Sequence, residues 1–123
     1  MALPKILIID DEETVRFFLR DFFEDRDFDV ELAGDGAEGL AKFTQGSYDL
    51  VLCDFLMPKM LGIQFLAKAR ELKPAQRVIM LTGVKEASLV EKAEKLGCHF
   101  YLQKPIRLAE LEAKTKEALA DKS

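Results

Sequence analysis

Strand-like and helix-like segments alternate five times along the 123 residues of this chain, and this alternation most limits its possible folds. Apolar runs, or apolar residues at every second position, predict five strands at about 6–9, 28–32, 50–53, 78–81 and 99–102. Each is followed by a segment whose apolar residues recur every three or four positions, the period of a helix face. These segments predict helices at about 12–25, from 37 to Gly46, and at 62–72, 86–96 and 108–120, with Gly97 as a further helix end.

Strict alternation of strands and helices implies a parallel sheet with helices on both faces. The first, third and fourth strands are uninterrupted apolar runs, as in strands buried on both faces, whereas the second alternates and the fifth carries polar groups. This pattern predicts an α/β fold: a doubly wound (βα)5 domain over residues 1–123, with strand order 2-1-3-4-5 and no segment left for an output domain. Helical periodicity also predicts that Leu72 and Leu108 face inward.

Composition excludes several functional classes. The net charge is −4, from 18 basic and 22 acidic residues, so no overall positive field attracts nucleic acid or an anionic membrane. No apolar run approaches the ~20 residues that span a bilayer, and the first residues do not form a signal peptide. We therefore expect a cytoplasmic protein without nucleic-acid or membrane partners, in which Cys53 and Cys98 stay reduced.

Polar side chains stand where the predicted strands end. Asp10 and Asp11 follow the first strand, Asp54 ends the third, Thr82 follows the fourth and Lys104 follows the fifth. In this strand order the first and third strands are neighbours at the topological switch point, where ligands of such sheets bind. Three converging carboxylates repel one another unless a cation shares them.

The metal suggested by these oxygen ligands is Mg²⁺, a hard ion that keeps part of its water shell. Zinc is poorly supported because His99 is the only histidine, and it is expected on the surface. A carboxylate beside Mg²⁺, a lysine and a threonine hydroxyl can carry out phosphoryl transfer, in which cations neutralise the phosphoryl oxygens. Gly83 leaves room for a phosphoryl group near the backbone.

Four segments at these strand ends resemble those of the response-regulator receiver domains of two-component signalling. They are Ile8-Ile9-Asp10-Asp11-Glu12, Asp54-Phe55-Leu56-Met57-Pro58, Leu81-Thr82-Gly83 and Tyr101-Leu102-Gln103-Lys104-Pro105. Each segment alone is weak, but together in this order they are specific. The resemblance covers nearly the whole chain and implies the flavodoxin-like, or CheY-like, version of the predicted fold.

The resemblance also implies roles for residues. Asp54 resembles the phospho-acceptor of the family. The Mg²⁺ ligands would be Asp11 directly, Asp10 mainly through water, Asp54, and the backbone carbonyl of Leu56; Mn²⁺ could substitute. Thr82 and Lys104 would bind the phosphoryl group.

Further implied features concern signalling. Tyr101 resembles an aromatic switch that turns inward when Thr82 moves toward the phosphoryl group, and the Lys104–Pro105 peptide bond is expected to be cis. The phosphodonor would be a histidine kinase or a histidine phosphotransfer protein. Phosphorylation would change the face formed by the fourth helix, fifth strand and fifth helix, and so control a protein partner. The domain would catalyse only its own phosphorylation and dephosphorylation.

The chain departs from the family pattern at several positions. Leu61 and Ile106-Arg107 stand where aspartate caps of the third and fifth helices are common. His99-Phe100 replaces a frequent acidic pair, so we expect no charge-paired dimer on that face, but a monomer or weak dimer. Leu56 and Val84, which flank the phosphoryl site, cannot hydrogen-bond a hydrolytic water, which predicts a long-lived phospho-aspartate.

Alternative interpretations remain at this point. Each polar group could have a local role instead: Asp10-Asp11 and Thr82 could cap helices, and Lys104 could be a solvated loop charge. The chain could also be a receiver trimmed from a longer response regulator or hybrid kinase. A phosphatase of the haloacid dehalogenase class is disfavoured because Asp10-Asp11-Glu12 does not fit its Asp-x-Asp motif. A flavodoxin-type flavin carrier is disfavoured because these acids would repel phosphate, and a degenerate receiver because the site is complete.

Overall fold

The computed structural model describes residues 2–83 and 87–120. Within this part of the chain, strands and helices alternate as the sequence predicts. They are β1 (Lys5–Ile9), α1 (Glu13–Glu24), β2 (Asp29–Ala33), α2 (Gly36–Gln45), β3 (Leu50–Asp54), α3 (Gly62–Leu72), β4 (Val78–Thr82), α4 (Ala87–Lys95), β5 (Phe100–Gln103) and α5 (Leu108–Ala120). The tuning position Val84 and the predicted start of the fourth helix at 86 lie outside the described residues.

The five strands form one parallel sheet in the order β2-β1-β3-β4-β5. This confirms the predicted architecture and strand order. All five residues of β3 are buried, and β1 and β4 each have four buried residues, whereas β2 and β5 are largely half-exposed. The uninterrupted apolar runs therefore did identify the central strands, since only strands covered on both faces can be apolar throughout.

The helices lie in two layers. Side chains of α2, α3 and α4 pack with one face of the sheet, and those of α1 and α5 pack with the other. On the first face, Phe43 of α2 and Phe65 of α3 meet edge to face at 5.6 Å. The sheet is therefore covered by packed helices on both faces, and this packing fixes the positions of the strand ends at its carboxyl edge.

The end of α3 supplies two cations to neighbouring helices. The Arg70 guanidinium donates from Nε to the Leu96 carbonyl at 2.6 Å and also to the carbonyls of Gln76 and Gly97. Lys73 donates to the carbonyls of Phe43 and Gly46 at the end of α2. Such cations satisfy the free carbonyls of a helix end and oppose its negative dipole.

Local predictions met mixed outcomes. Gly97 has φ +82°, which confirms it as a left-handed helix end. Gly46 ends α2 in extended backbone, with φ −113°. Leu61 makes no side-chain cap, and its amide donates instead to Gln64 Oε1 at 2.8 Å.

Two predicted inward positions are wrong. Leu72 is 51% exposed and Leu108 is 54% exposed. Leu72 is the last residue of α3 and Leu108 the first of α5. At a helix end, periodicity alone does not tell whether the sheet extends far enough to cover the side chain.

The remaining expectations about composition concern the thiols and the membrane. Cys53 and Cys98 are both buried free thiols, as predicted. No helix in the described ranges is long and apolar enough to cross a membrane.

Candidate phosphoryl-transfer site

Strand pairing brings the predicted polar residues to one edge of the sheet. Ile9 pairs with Cys53, so Asp10 follows β1 beside Asp54 at the end of β3. Asp54 in turn pairs with Leu81, one residue before Thr82. The amide of Lys104 donates to the Thr82 carbonyl at 2.7 Å, which continues the β4–β5 pairing beyond the last strand residue. The carboxyl ends of four strands therefore meet as predicted.

The Lys104 ammonium lies at the centre of this edge. Its Nζ is 2.8 Å from Asp10 Oδ2, 2.9 Å from Glu12 Oε1 and 2.9 Å from Asp54 Oδ2. Burial disfavours the charged ammonium, but its close contacts with these three carboxylates outweigh that effect and raise the pKa of Lys104. Lys104 is therefore a fixed positive charge of the site rather than a solvated loop charge.

Asp10 is the most buried member of the site, with no exposed surface. Its Oδ1 accepts a hydrogen bond from the Glu12 amide at 2.8 Å. Its Oδ2 contacts the Lys104 ammonium as an ion pair, but at an angle that forms no hydrogen bond within the described structure. Burial is the main cause of a raised pKa of Asp10, to which the nearby charge of Asp54 adds.

The acidic residues could hold a hard cation. One carboxylate oxygen from each of Asp10, Asp11, Glu12 and Asp54 lies within 4.8 Å of the others. The buried Oδ2 of Asp10 has a lone pair that no hydrogen bond uses, and all four groups offer the oxygen ligands that Mg²⁺ prefers. The residues present therefore fit Mg²⁺.

Backbone hydrogen bonds fix the position of Asp54 and of the residue that follows it. Its side chain is 7% exposed, and its Oδ1 accepts a long hydrogen bond of 3.3 Å from the Leu56 amide. Phe55, the next residue, donates its amide to the Leu81 carbonyl at 2.9 Å. Leu56 itself is 46% exposed.

Gly62, the first residue of α3, lies directly against the backbone of Asp54. A Cβ built on Gly62 would stand 2.1 Å from the Asp54 carbonyl oxygen, closer than any side chain allows. The Gly62 amide also donates to the Phe55 carbonyl at 2.8 Å. The start of α3 is therefore seated on the strand end that carries Asp54.

Tyr101 links the site to α4. Its ring lies nearly parallel to that of Phe55, with centroids 6.4 Å apart and an interplanar angle of 12°. Its hydroxyl donates to the Cys98 carbonyl at 2.6 Å and lies 3.3 Å from the Val90 carbonyl in α4. The peptide bond between Lys104 and Pro105 is cis, the geometry that the resemblance implied.

Sequence reasoning missed two residues at the site. The sequence pattern predicts Glu12 only as the start of a helix, yet it is the N-cap of α1 without a side-chain cap, and its carboxylate contacts Lys104. Arg16 of α1 donates from Nη1 to the Asp10 carbonyl at 2.7 Å. An acidic residue directly after two candidate ligands was the available signal for Glu12; nothing in the sequence indicated Arg16.

A groove of about 570 Å³ opens beside the site between α1 and the loop after β5. Glu12 and Lys104 lie at the acidic site, and Phe18 contributes apolar surface. Phe18 is 42% exposed. That exposure gives the site an apolar border.

Comparison with known proteins identifies the family. The model of the response regulator receiver domain matches residues 6–116. The chain belongs to this family. It is 37% identical to a probable chemotaxis protein CheY of Rhizobium etli over 89% of this chain and 87% of that protein. It is 31% identical to sporulation initiation phosphotransferase F of Bacillus subtilis, over 100% of this chain and 99% of that protein.

Solved structures agree with this assignment of the receiver domain. A CheY-like receiver domain from Methanospirillum hungatei is 33% identical, with a TM-score of 0.92 over 96% of this chain and 94% of that one. The chain spans only about half the length of several transcriptional regulators that it also matches, for example 48% of ResD of Bacillus subtilis.

Membership in the family carries general properties. Receiver domains are signalling domains of two-component systems rather than metabolic enzymes. They interact with histidine kinases or phosphotransfer proteins and with downstream targets, and they use Mg²⁺ at an acidic site such as this one.

Proposed function

We propose that this receiver domain is a phosphorylation-controlled switch in which Asp54 accepts a phosphoryl group from the phosphohistidine of a histidine kinase or a histidine phosphotransfer protein. The observation that carries the proposal is the convergence of Asp10, Asp54 and Lys104, with the ammonium 2.8–2.9 Å from both carboxylates. A structural salt bridge needs one carboxylate for one ammonium. Here two buried carboxylates face one ammonium, so the site has excess negative charge. Such a site can bind an additional cation and, with it, a phosphoryl group.

The positions of these residues support a direct transfer to Asp54. An oxygen of Asp54 forms a bond to phosphorus as the P–N bond to the donor histidine breaks, and the leaving imidazole retains the electron pair of that bond. Lys104 and Thr82 would bind the phosphoryl oxygens as their charge develops. The domain would thus supply the nucleophile and positioning groups for its own phosphorylation.

The metal ligands proposed for Mg²⁺ are Asp10, Asp11, Asp54 and the carbonyl of Leu56, and Mn²⁺ could replace Mg²⁺. When bound, the metal would neutralise charge on the carboxylates and on the phosphoryl oxygens. The burial of Asp10, with one oxygen that accepts no hydrogen bond within the described structure, supports this assignment.

The output of the switch would be a changed protein surface on α4, β5 and α5. A phosphoryl group adds about −1.5 to −2 charges at neutral pH, which would draw Thr82 toward Asp54. Tyr101 is the proposed relay because its ring stacks on Phe55, next to Asp54, and its hydroxyl reaches a carbonyl of α4. A downstream protein, rather than nucleic acid or a membrane, would bind this face.

The proposed lifetime and assembly follow from two departures from the family pattern. Leu56 offers no hydrogen bond to a hydrolytic water, so the phospho-aspartate would be long-lived. His99 is exposed where relatives often carry acids, so we propose a monomer or weak dimer without a charge-paired interface.

The test uses beryllofluoride, a stable mimic of the phosphoryl group, together with Mg²⁺. We expect amide NMR signals near Asp54, Thr82 and Tyr101 to shift in the wild type and to stay unchanged in Asp54→Asn. Asp49→Asn is the matched control, because Asp49 precedes the same strand at its opposite end; it should respond like the wild type. A full response of Asp54→Asn would exclude Asp54 as the acceptor.

A further inference from the structure

The Lys104 ammonium has three N–H groups, and three carboxylates surround it. Asp10, Glu12 and Asp54 all approach Nζ within 2.8–2.9 Å. Lys104 donates hydrogen bonds to Glu12 Oε1 and Asp54 Oδ2, and Asp10 Oδ2 lies beside the same nitrogen as an ion pair. A phosphoryl oxygen on Asp54 would therefore compete with these carboxylates for Lys104.

Glu12 is the carboxylate that can leave most easily. The side chain of Asp10 is fully buried and that of Asp54 is 7% exposed, whereas that of Glu12 is 57% exposed. Asp10 and Asp54 are fixed by the ends of β1 and β3. Glu12 precedes α1 as its N-cap without using its side chain in a cap, so its long side chain is free to rotate into water.

The position of Glu12 also matters for what enters the site. It lines the groove beside Lys104, together with Phe18 and Pro105. Its negative charge therefore stands where an anionic group would approach the ammonium. The same charge lies within 4.8 Å of the carboxylates of Asp10, Asp11 and Asp54, where a cation would bind.

We propose that Glu12 competes with the phosphoryl group for Lys104: it holds the ammonium in the unphosphorylated protein and is displaced when a phosphoryl group arrives. This inference rests on the proposed function and adds a residue that sets the affinity of the site. Glu12 would have opposite effects on the two ligands. Its charge opposes an anionic phosphoryl group and favours a divalent cation.

The test compares wild type with Glu12→Gln, which keeps the length of the side chain and removes its charge. At saturating Mg²⁺, the variant should bind beryllofluoride about two- to fivefold more tightly, the range expected from loss of a partly exposed ion pair. Without beryllofluoride, it should bind Mg²⁺ about three- to tenfold more weakly, because a charge near the cation is lost. Amide NMR titrations measure both constants.

Glu13→Gln is the matched control, since it removes the same charge one residue further along α1 and outside the acidic cluster. Both of its affinities should stay within about twofold of the wild type. If Glu12 had only a structural role, Glu12→Gln would lower the affinities for beryllofluoride and for Mg²⁺ together. That result, or an unchanged affinity for beryllofluoride, would overturn this inference but leave the proposed function standing. Failure of the wild type to bind beryllofluoride would overturn the proposed function and the inference with it.

Discussion

Asp54 and Leu56 are two residues apart, and their side chains have very different surroundings. Asp54 is buried against Lys104, whereas Leu56 is 46% exposed beside the same site. The backbone amide of Leu56 contacts the Asp54 carboxylate, so the leucine side chain starts from a point close to the proposed phosphoryl position. A residue so placed can govern the access of water to phospho-Asp54 without contributing to the fold.

We predict that Leu56→Asn shortens the lifetime of phospho-Asp54 by about three- to tenfold, because an amide side chain can orient a water toward phosphorus. Loss of the phosphoryl group after removal of the donor measures the lifetime. Leu56→Met is the control, since it keeps an apolar side chain of similar size and should leave the rate nearly unchanged. An equally fast decay of the wild type and Leu56→Asn would contradict the prediction.

At the scale of elements, the contact between α3 and β3 determines where Asp54 stands. Gly62 brings the first turn of α3 onto the backbone of Asp54 and Phe55, and any Cβ there would overlap backbone atoms that cannot move aside. The Gly62–Phe55 hydrogen bond closes the loop that carries Leu56 and Pro58. One residue without a side chain thus couples a helix to the strand end of the site.

We predict that Gly62→Ala lowers the free energy of unfolding by about 1–3 kcal/mol, the usual cost of forcing extra volume into a packed region. It should also reduce the rate of phosphorylation, because α3 would press on Asp54. Urea unfolding and phosphorylation kinetics measure the two effects. In Gly34→Ala, the new Cβ would meet only ordinary contacts, the nearest at 3.5 Å, so this control should keep both properties. Wild-type stability of Gly62→Ala would argue against this close contact.

At the scale of the whole molecule, the buried carboxylate of Asp10 lowers the free energy of unfolding. The pKa of Asp10 is raised by burial and by Asp54, so the folded state disfavours the ionised carboxylate. A carboxyl group with a raised folded pKa contributes its full stability below its unfolded pKa. That contribution is lost as the pH rises through the folded pKa. The metal-free protein therefore carries this cost at neutral pH.

We predict that Asp10→Asn makes the metal-free protein more stable at pH 7 by roughly 1 kcal/mol. The gain should vanish below about pH 4, where the wild-type carboxyl group is also neutral. Mg²⁺ should stabilise the wild type more than the variant. Urea unfolding in chelator and in Mg²⁺ measures these differences, with the exposed Asp21→Asn as a control expected to change little. A variant less stable than the wild type in chelator would refute the assigned cost.

The sequence predicted the sheet and the strand-end residues because both depend on one pattern: apolar runs that end in a polar group. Asp10, Asp54 and Lys104 are brought together by strand order alone, and strand order follows from which runs are buried on both faces. The contact of Glu12 with Lys104 joins residues 92 positions apart through the rotamer of an exposed side chain, which no local pattern reveals. The seating of Gly62 on Asp54 likewise depends on the distance between a helix and a strand. Periodicity predicted Leu72 and Leu108 wrongly because it indicates which face of a helix is apolar, but not how far along the helix that face is covered by the sheet.

The two cations at the end of α3 have a consequence for how the molecule can be altered. Arg70 and Lys73 donate hydrogen bonds to backbone carbonyls of the neighbouring helix ends and loops. Every residue type has that carbonyl, so substitutions at Leu96 would leave its carbonyl bond to Arg70 in place. The outward residues of α4, which belong to the proposed output face, could therefore be exchanged while the end of the helix keeps its position. Engineered signalling circuits need that separation between where a helix sits and what it recognises.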